Sequence, residues 1–322
     1  MADWPDQLFE SVHFRLEVRI DNESFGFNEC QVDLASWTPG GTSFEFTMQA
    51  GEERGVRLEL ELIRDGEEET YAVRRLEGEP LQVHAFGRTV PVEEFFGENP
   101  PLVRLADGSQ LSGSILLKPR EETYDAFDRE RLRAIDWNGV DLSKESMWRE
   151  GQMRTDSIQY RFIRYLEQTD ATFIFDDDGT GESADLVAIE EQADRIIVYL
   201  WHCKYASGNE PGHRVKDLYE VCGQAQKSVK WTWSLRRLIT HLITRETKHK
   251  RDRHTRFVRG SLHGLATLRK SSKRRFIEYR VGIVQPGLSA AGVSNDQLSI
   301  LGATNSFIQV VTDRPLAVVT SE

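Results

Sequence analysis

Cysteine is scarce in this chain. Three residues of 322, at Cys30, Cys203 and Cys222, are too few and too scattered for a disulfide framework, which excludes the small cross-linked secreted scaffolds. No apolar run approaches the ~20 residues that span a bilayer, so no membrane segment is expected. The opening residues, Met-Ala-Asp-Trp-Pro-Asp, have neither the basic start nor the apolar centre of a secretory signal. These absences predict a reduced, cytoplasmic protein with no membrane partner. No internal repeat and no low-complexity segment is present. There is no Gly-rich phosphate loop and no dinucleotide fingerprint, so the chain carries no nucleotide-driven motor of its own. The candidate zinc ligands His202, Cys203, His213 and Cys222 match no common zinc spacing, and Cys203 takes the opposite strand face from His202. Cys203 and Cys222 are therefore read as small core residues.

What is present is a globular composition, 39% hydrophobic and 29% charged. Net charge is −11, but it is unevenly spread. Residues 1–120 hold 23 acids against 11 bases, whereas residues 236–275 hold 14 Lys or Arg against two acids. An acidic first part and a basic stretch in the last third predict different partners for different regions. The basic stretch predicts a phosphate-backbone contact through Arg251, Arg253, Arg256, Lys270, Lys273 and Arg274. Trp201, Trp231 and Trp233 lie near it and are read mainly as core, with base stacking as the alternative.

Hydrophobic periodicity gives the architecture. Strict alternation at 13–20, 43–49 and 56–63, with further strands at 70–75, 81–86, 102–105 and 111–117, predicts antiparallel strands. Asp65-Gly66 and Asp107-Gly108 are the hairpin turn signals. The first 120 residues are thus an antiparallel β domain, a sandwich or a barrel. From about residue 118 the pattern changes. A short helix is expected over 124–135, and a helical period runs through 143–168, with Thr155 or Asp156 as a cap. Strands follow at 172–175, 184–189 and 196–204, then helices at 215–230, 234–247 and 255–270. A strand at 276–285, stopping at Pro286-Gly287, a helix at 296–311 and a strand at 316–320 complete the chain. The fold class is α+β/α/β: a β domain over 1–120, then a mixed αβββαβ layer over 121–322 with a basic helical insert at 231–275.

Two polar intrusions into apolar strands locate the chemistry. Asp185 sits inside Ala-Asp-Leu-Val-Ala-Ile, and the next strand ends in His202-Cys203-Lys204. Buried carboxylate and ammonium groups are costly unless paired or bound to a ligand. If the two strands pair, Asp185, His202 and Lys204 converge on one edge, where carboxylate and imidazole suit a divalent cation and a lysine suits a phosphate or an attacking water. Glu182 is half structural and half ligand in this reading. Asp176–Asp178 is read as a solvated turn. Gln224 and Gln226 lie two apart on a helix, so at most one faces the site.

These residues resemble the signature of the PD-(D/E)xK superfamily, the restriction-endonuclease-like nucleases. The match is Glu182-Ser183-Ala184-Asp185, then His202-Cys203-Lys204, then Gln224 and Gln226 on the following helix, and it covers about residues 145–320. The resemblance is nearest to nuclease domains of bacterial antiviral defence proteins that work with helicases. It implies a restriction-endonuclease-like fold and Mg²⁺- or Mn²⁺-dependent cleavage of DNA, or of RNA. It implies that Asp185 binds metal with Glu182 and His202, that Lys204 orients the water, and that Gln224 lines the site. A polar partner from the preceding helix is implied too, Asp156 or Gln159. A helicase or ATPase partner would dock through the acidic N-terminal domain. One position departs from the pattern: His202 stands where the family carries Asp or Glu. The departure implies Mn²⁺ preference, a relocated carboxylate (Glu182 or Asp178) or lost activity, and the last is a second expectation: a catalytically inactive nuclease fold that binds nucleic acid or scaffolds a defence complex.

Overall fold

The computed structural model describes residues 2–5, 16–21, 23–38, 40–51, 54–65, 68–105, 109–118, 125–208, 210–249 and 255–322. The chain divides into two compact units, Met1–Glu121 and Glu122–Glu322.

The first unit holds three four-stranded antiparallel sheets. Strands Ser43–Ala50 and Arg54–Asp65 alternate as expected, with Phe44, Phe46, Met48, Val56, Leu58 and Leu60 buried, and Glu68–Gly78 pairs with the second of them. Trp4, Phe46 and Phe96 form the centre of the core, with Phe96 5.7 Å from the Trp4 ring and 5.1 Å from the Phe46 ring. Several elements have no counterpart in the sequence reading, among them the short strands Ala2–Asp3, Glu23–Gly26 and Arg88–Pro91. Strand Cys30–Trp37 alternates only over its first half, and helix Val92–Glu98 starts at Pro91 without a side-chain cap. Residues 13–15, Gly66, Asp107 and Gly108 lie outside the described residues.

The second unit is built on one seven-stranded mixed sheet. Its strands are β1 (Leu132–Ala134), β2 (Phe173–Asp176), β3 (Leu186–Glu191), β4 (Arg195–Cys203), β5 (Phe257–Arg259), β6 (Phe276–Ser289) and β7 (Ala317–Ser321). Their order across the sheet is β1-β7-β6-β4-β3-β2-β5. The meander β2-β3-β4 is antiparallel, while β4, β6, β7 and β1 run parallel. Parallel neighbours need a crossover, and helices α2 (Lys216–Ser228), α3 (Leu235–His249) and α4 (Leu262–Ser271) lie between β4 and β6. Helix α1 (Ile158–Leu166) precedes the meander, and α5 (Asn295–Thr312) links β6 to β7. The observed order from α1 is therefore helix, three strands, helix, insert, strand. Among the described residues no helix is long and apolar enough to cross a membrane.

Both faces of this sheet are covered, which explains why β4 reads Arg-Ile-Ile-Val-Tyr-Leu-Trp-His-Cys rather than alternating. On one face Phe162, Ile163 and Leu166 of α1 pack with Ile174, Leu186, Ala188 and Trp201. On the other, Leu218, Val221 and Ala225 of α2 and Leu301 and Ile308 of α5 pack with Val281, Ile283 and Val318. Gly282 of β6 lies opposite Trp201, and a Cβ there would overlap the indole. Cys203 and Cys222 are buried core residues, as read from sequence.

Several elements differ from the sequence reading. The 124–135 segment is not a helix; its described part, 125–135, runs extended through a 3₁₀ turn into β1. It lies against Gly302 of α5, where a Cβ would overlap the Asp125 carbonyl. The helical period at 143–168 yields a helix only over Ile158–Leu166, started by Ser157, whose side chain accepts from the Tyr160 N–H; neither Thr155 nor Asp156 is the cap. The 255–270 segment splits into β5 and α4. Strand β6 continues through Pro286-Gly287 to Ser289, with its pairing to β7 shifting after Val284.

Candidate metal centre

The site forms where β3 begins and β4 ends. Asp185 is 2% exposed, and each carboxylate oxygen accepts one bond: Oδ1 from Gln159 Nε2 at 3.1 Å, and Oδ2 from the Cys203 N–H at 2.9 Å. Gln159 is oriented by its other end, because its Oε1 accepts the Met147 N–H at 2.8 Å. A backbone N–H can only donate, so the amide nitrogen is the group left to face Asp185. Of the two helix residues weighed from sequence, Gln159 reaches the site. Asp156 instead pairs with Lys144 on the surface and does not.

His202 lies beside Asp185, with Nδ1 3.6 Å from Oδ2, too far for a hydrogen bond. Both ring nitrogens are buried and neither has a hydrogen-bond partner. Burial holds the imidazole pKa down to about 3, so the ring is neutral at physiological pH. One donor atom each from Glu182, Asp185 and His202 fall within 4.8 Å of one another. An orphaned buried imidazole between two carboxylates fits a divalent cation, since the cation gives the ring nitrogen its missing partner and offsets the paired negative charge. The residues present therefore fit a metal ion.

The electrostatics agree. Burial, then the Asp178 charge, pushes the Glu182 carboxyl up to about 8. Burial, then the Glu182, Asp178 and Glu145 charges, holds Asp185 well above the usual carboxylate range. Glu145, raised mainly by burial, accepts the Tyr205 N–H at 2.9 Å and lies 3.4 Å from Lys204 Nζ. Lys204 also meets Glu220 of α2 at 3.0 Å. Burial alone would lower its ammonium pKa; Glu145 and the bond to Glu220 outweigh burial and raise it. One turn beyond Glu220 on the same helix face sits Gln224, whose Oε1 is buried without a partner. Gln226 turns away, to Thr304 of α5 at 3.5 Å.

Sequence reasoning missed two acids here, Glu145 and Glu220, and weighed Asp178 only as a relocated carboxylate. Glu145 stands in the loop before α1, where no periodicity marks it. The turn that carries Asp178 reads as solvated, and the structure corrects that reading. Asp176 and Asp177 are buried, and the turn is clamped from the basic insert. Arg245 of α3 donates to the carbonyls of Asp177, Asp178 and Thr180, and Arg256 donates to those of Asp176 and Asp178. Asp177 itself accepts from Ser183, His241 and Arg245 at 2.7–2.9 Å. Burial would raise its pKa, but His241 and Arg245 override this and hold it well below the usual range.

The basic insert is thus partly spent inside the protein. Arg256 is committed to the turn, Arg259 to the carbonyls of Glu167, Thr169 and Ala171, and Arg275 to Glu191. Lys270 and Lys273 remain exposed. Arg251, Arg253 and the Arg274 side chain lie outside what the structure describes. Trp201 packs against Phe162 and Tyr199, Trp231 is buried beside His241, and Trp233 is 51% exposed.

A pH dependence follows. A carboxyl whose folded pKa is raised favours folding below its unfolded pKa and loses that contribution as pH climbs through the folded value. Asp176, raised to about 7 by burial and by Asp178, and Glu182, raised to about 8, both act this way. In chelator, the melting temperature is expected to fall as pH rises from about 4.5 to 8, and saturating Mn²⁺ is expected to flatten the fall. A melting temperature that rises over this window in chelator would contradict the placement of these acids.

No family model matches the chain, and no curated protein or solved structure matches it either.

Proposed function

We propose that residues 122–322 form a metal-dependent phosphodiesterase of the restriction-endonuclease-like kind, which hydrolyses DNA. The observation that carries this reading is the convergence of Glu182, Asp185 and an unpartnered, buried His202 beside the Lys204 ammonium. The helix–strand–strand–strand–helix–strand order around it supports the same reading. Glu182, Asp185 and His202 would hold the ion, whose chemistry is charge stabilisation at the phosphoryl oxygens and activation of water. The nitrogen ligand shifts preference from Mg²⁺ toward Mn²⁺. Gln159 and the Cys203 N–H fix the direction of Asp185. Lys204 supplies the positive charge that draws the scissile phosphate or orients the water, and Glu145 and Glu220 hold it in place. Gln224 offers an amide to the same space. Lys270 and Lys273 are the described exposed lysines suited to a nucleic-acid backbone. The acidic first unit is the docking module for a partner such as a helicase, in an antiviral defence system.

A second reading is favoured by one observation, the neutral His202 where the signature carries a carboxylate. It is a catalytically inactive nuclease fold that binds nucleic acid or scaffolds a complex. A plasmid-nicking assay with Mg²⁺ or Mn²⁺ separates the two. The enzyme reading expects nicking by wild type and at least a 100-fold loss in Lys204→Ala, roughly the scale on which one catalytic electrostatic group acts. Intact plasmid with both proteins, in the presence of the partner, selects the inactive reading.

A further inference from the structure

Lys204 carries the positive charge of the candidate site, and it is already engaged. Its Nζ lies 3.0 Å from Glu220 and 3.4 Å from Glu145, and 4.6 Å from the centre of the Tyr205 ring. The side chain is 12% exposed. A lysine ammonium has three N–H donors, and a phosphate oxygen needs at least one of them. With two carboxylates and a ring around this ammonium, a phosphate reaches it only when one neighbour gives way.

The two carboxylates differ in how firmly they are held. Glu145 is 21% exposed, and the same oxygen that faces Lys204 accepts the Tyr205 N–H at 2.9 Å. That backbone bond ties it down. Glu220 is 40% exposed on the second turn of α2, and Lys204 is its one ion-pair partner among the described residues. Its greater exposure puts it on the solvent side of the ammonium, and it is the neighbour free to move. A long side chain at a helix surface changes rotamer at small cost. Lys216, exposed one turn earlier on the same helix face, is placed to receive the carboxylate.

We propose, resting on the reading of Lys204 as the phosphate-binding group, that Glu220 is a displaceable counter-ion which closes Lys204 until a DNA phosphate takes its place. The site is then locked from within while no strand is bound. Exchange of one anion for another at a single ammonium is near balance. Contacts elsewhere along a strand must drive the exchange, which selects a polymer over a free phosphate. Glu220 acts through Lys204, so it is a positioning residue, and the sign of its effect is definite. A carboxylate that only steadies Lys204 helps the substrate, and its loss weakens binding. A lock opposes the substrate, and its loss tightens binding.

Fluorescence anisotropy of a labelled DNA duplex with the full chain tests it, in chelator so that no strand is cut. The variants are Glu220→Gln, which keeps the shape and removes the charge, Lys204→Ala, and the two combined. Glu220→Gln is expected to bind about three- to fivefold more tightly than wild type, the scale of one partly exposed ion pair. In the Lys204→Ala background the same change should leave affinity unchanged, because the lock has nothing to close. Equal or weaker binding by Glu220→Gln overturns the proposal. So does the same tightening in the Lys204→Ala background, which would mark a general repulsion of DNA by the Glu220 charge. Absence of binding by both wild type and Glu220→Gln overturns it as well. The nuclease reading is judged apart, by nicking with Mn²⁺. A lower KM at unchanged kcat in Glu220→Gln supports both. Nicking with the wild-type KM and kcat removes the lock and keeps the nuclease. The expected binding pattern without any nicking keeps the lock and removes the nuclease. Circular dichroism melting of each variant verifies that the fold is kept.

Discussion

Asp185→Asn is expected to reduce metal-dependent nicking by about 100- to 1,000-fold or more, the scale on which removal of a single preorganised electrostatic group acts. The substitution is isosteric, so packing around a residue that is 2% exposed is kept. What changes is the charge and the donor pattern. The Asp185 carboxylate accepts from Gln159 and from the Cys203 N–H, and it is the anion nearest the unpartnered His202 ring. An amide can still accept one of those bonds, but it presents an NH₂ group to the other donor and brings no negative charge to a cation. Stability should not fall with activity. Burial and three neighbouring acids already disfavour the Asp185 charge, so removing it relieves repulsion in the metal-free protein. Loss of nicking at an unchanged or raised melting temperature is the expected pair of results. Undiminished nicking in Asp185→Asn would remove this residue from the mechanism.

Asp177→Ala is expected to do the opposite: large damage to stability. Asp177 is fully buried and sits between the His241 ring, the Arg245 guanidinium and the Ser183 N–H and hydroxyl. Removing one member of such a buried charged network costs about 3–5 kcal/mol, because the groups left behind are buried and unpaired. The Arg245 side chain also holds the carbonyls of the turn that carries Asp178, so the acids of the site lose their frame with it. Urea denaturation of the two proteins measures the difference. The pH dependence has a definite sign. The depressed Asp177 pKa contributes stability that is complete above the unfolded carboxylate value near 4 and is lost as pH falls below it. Acid sensitivity below pH 4 should therefore shrink in Asp177→Ala. A variant within 1 kcal/mol of wild type would mean that the network does not hold the insert to the turn.

The parts of the second unit that were legible in the sequence are those set by strong local patterns. The three strands of the meander, helix α2 and helix α5 follow from apolar runs and helical period, and Asp185, His202 and Lys204 stood out because polar groups in buried strands need a reason. Gln159 was named but could not be separated from Asp156. Both are polar and near the start of a helix, and only the three-dimensional path of residues 141–157 turns Gln159 inward and leaves Asp156 on the surface with Lys144. That path was itself illegible, because its residues show a helical period while their backbone is committed elsewhere, with the Lys144 and Glu145 carbonyls accepting from Ile158 and Gln159. Glu145 was invisible for the same reason.

The acidic turn was read as solvated, and nothing in the sequence shows that part of the basic insert closes over it. In the structure they neutralise one another: Arg245 and Arg256 reach 65–80 residues back along the chain to the carbonyls of residues 176–180. Only contact at that sequence distance distinguishes a buried ionic clamp from two exposed patches, and no local signal reports it.

The most direct test of the metal centre is a calorimetric titration of the chelator-treated protein with Mn²⁺, wild type beside His202→Ala and Asp185→Asn. His202 has no other partner for its ring nitrogens, so a role in packing alone would leave metal affinity untouched by its removal. The account predicts saturable Mn²⁺ binding by wild type, at least tenfold weaker binding by each variant, and a wild-type melting temperature that rises with Mn²⁺ by mass action. No binding by wild type at millimolar Mn²⁺, or equal affinity in all three proteins, would contradict it.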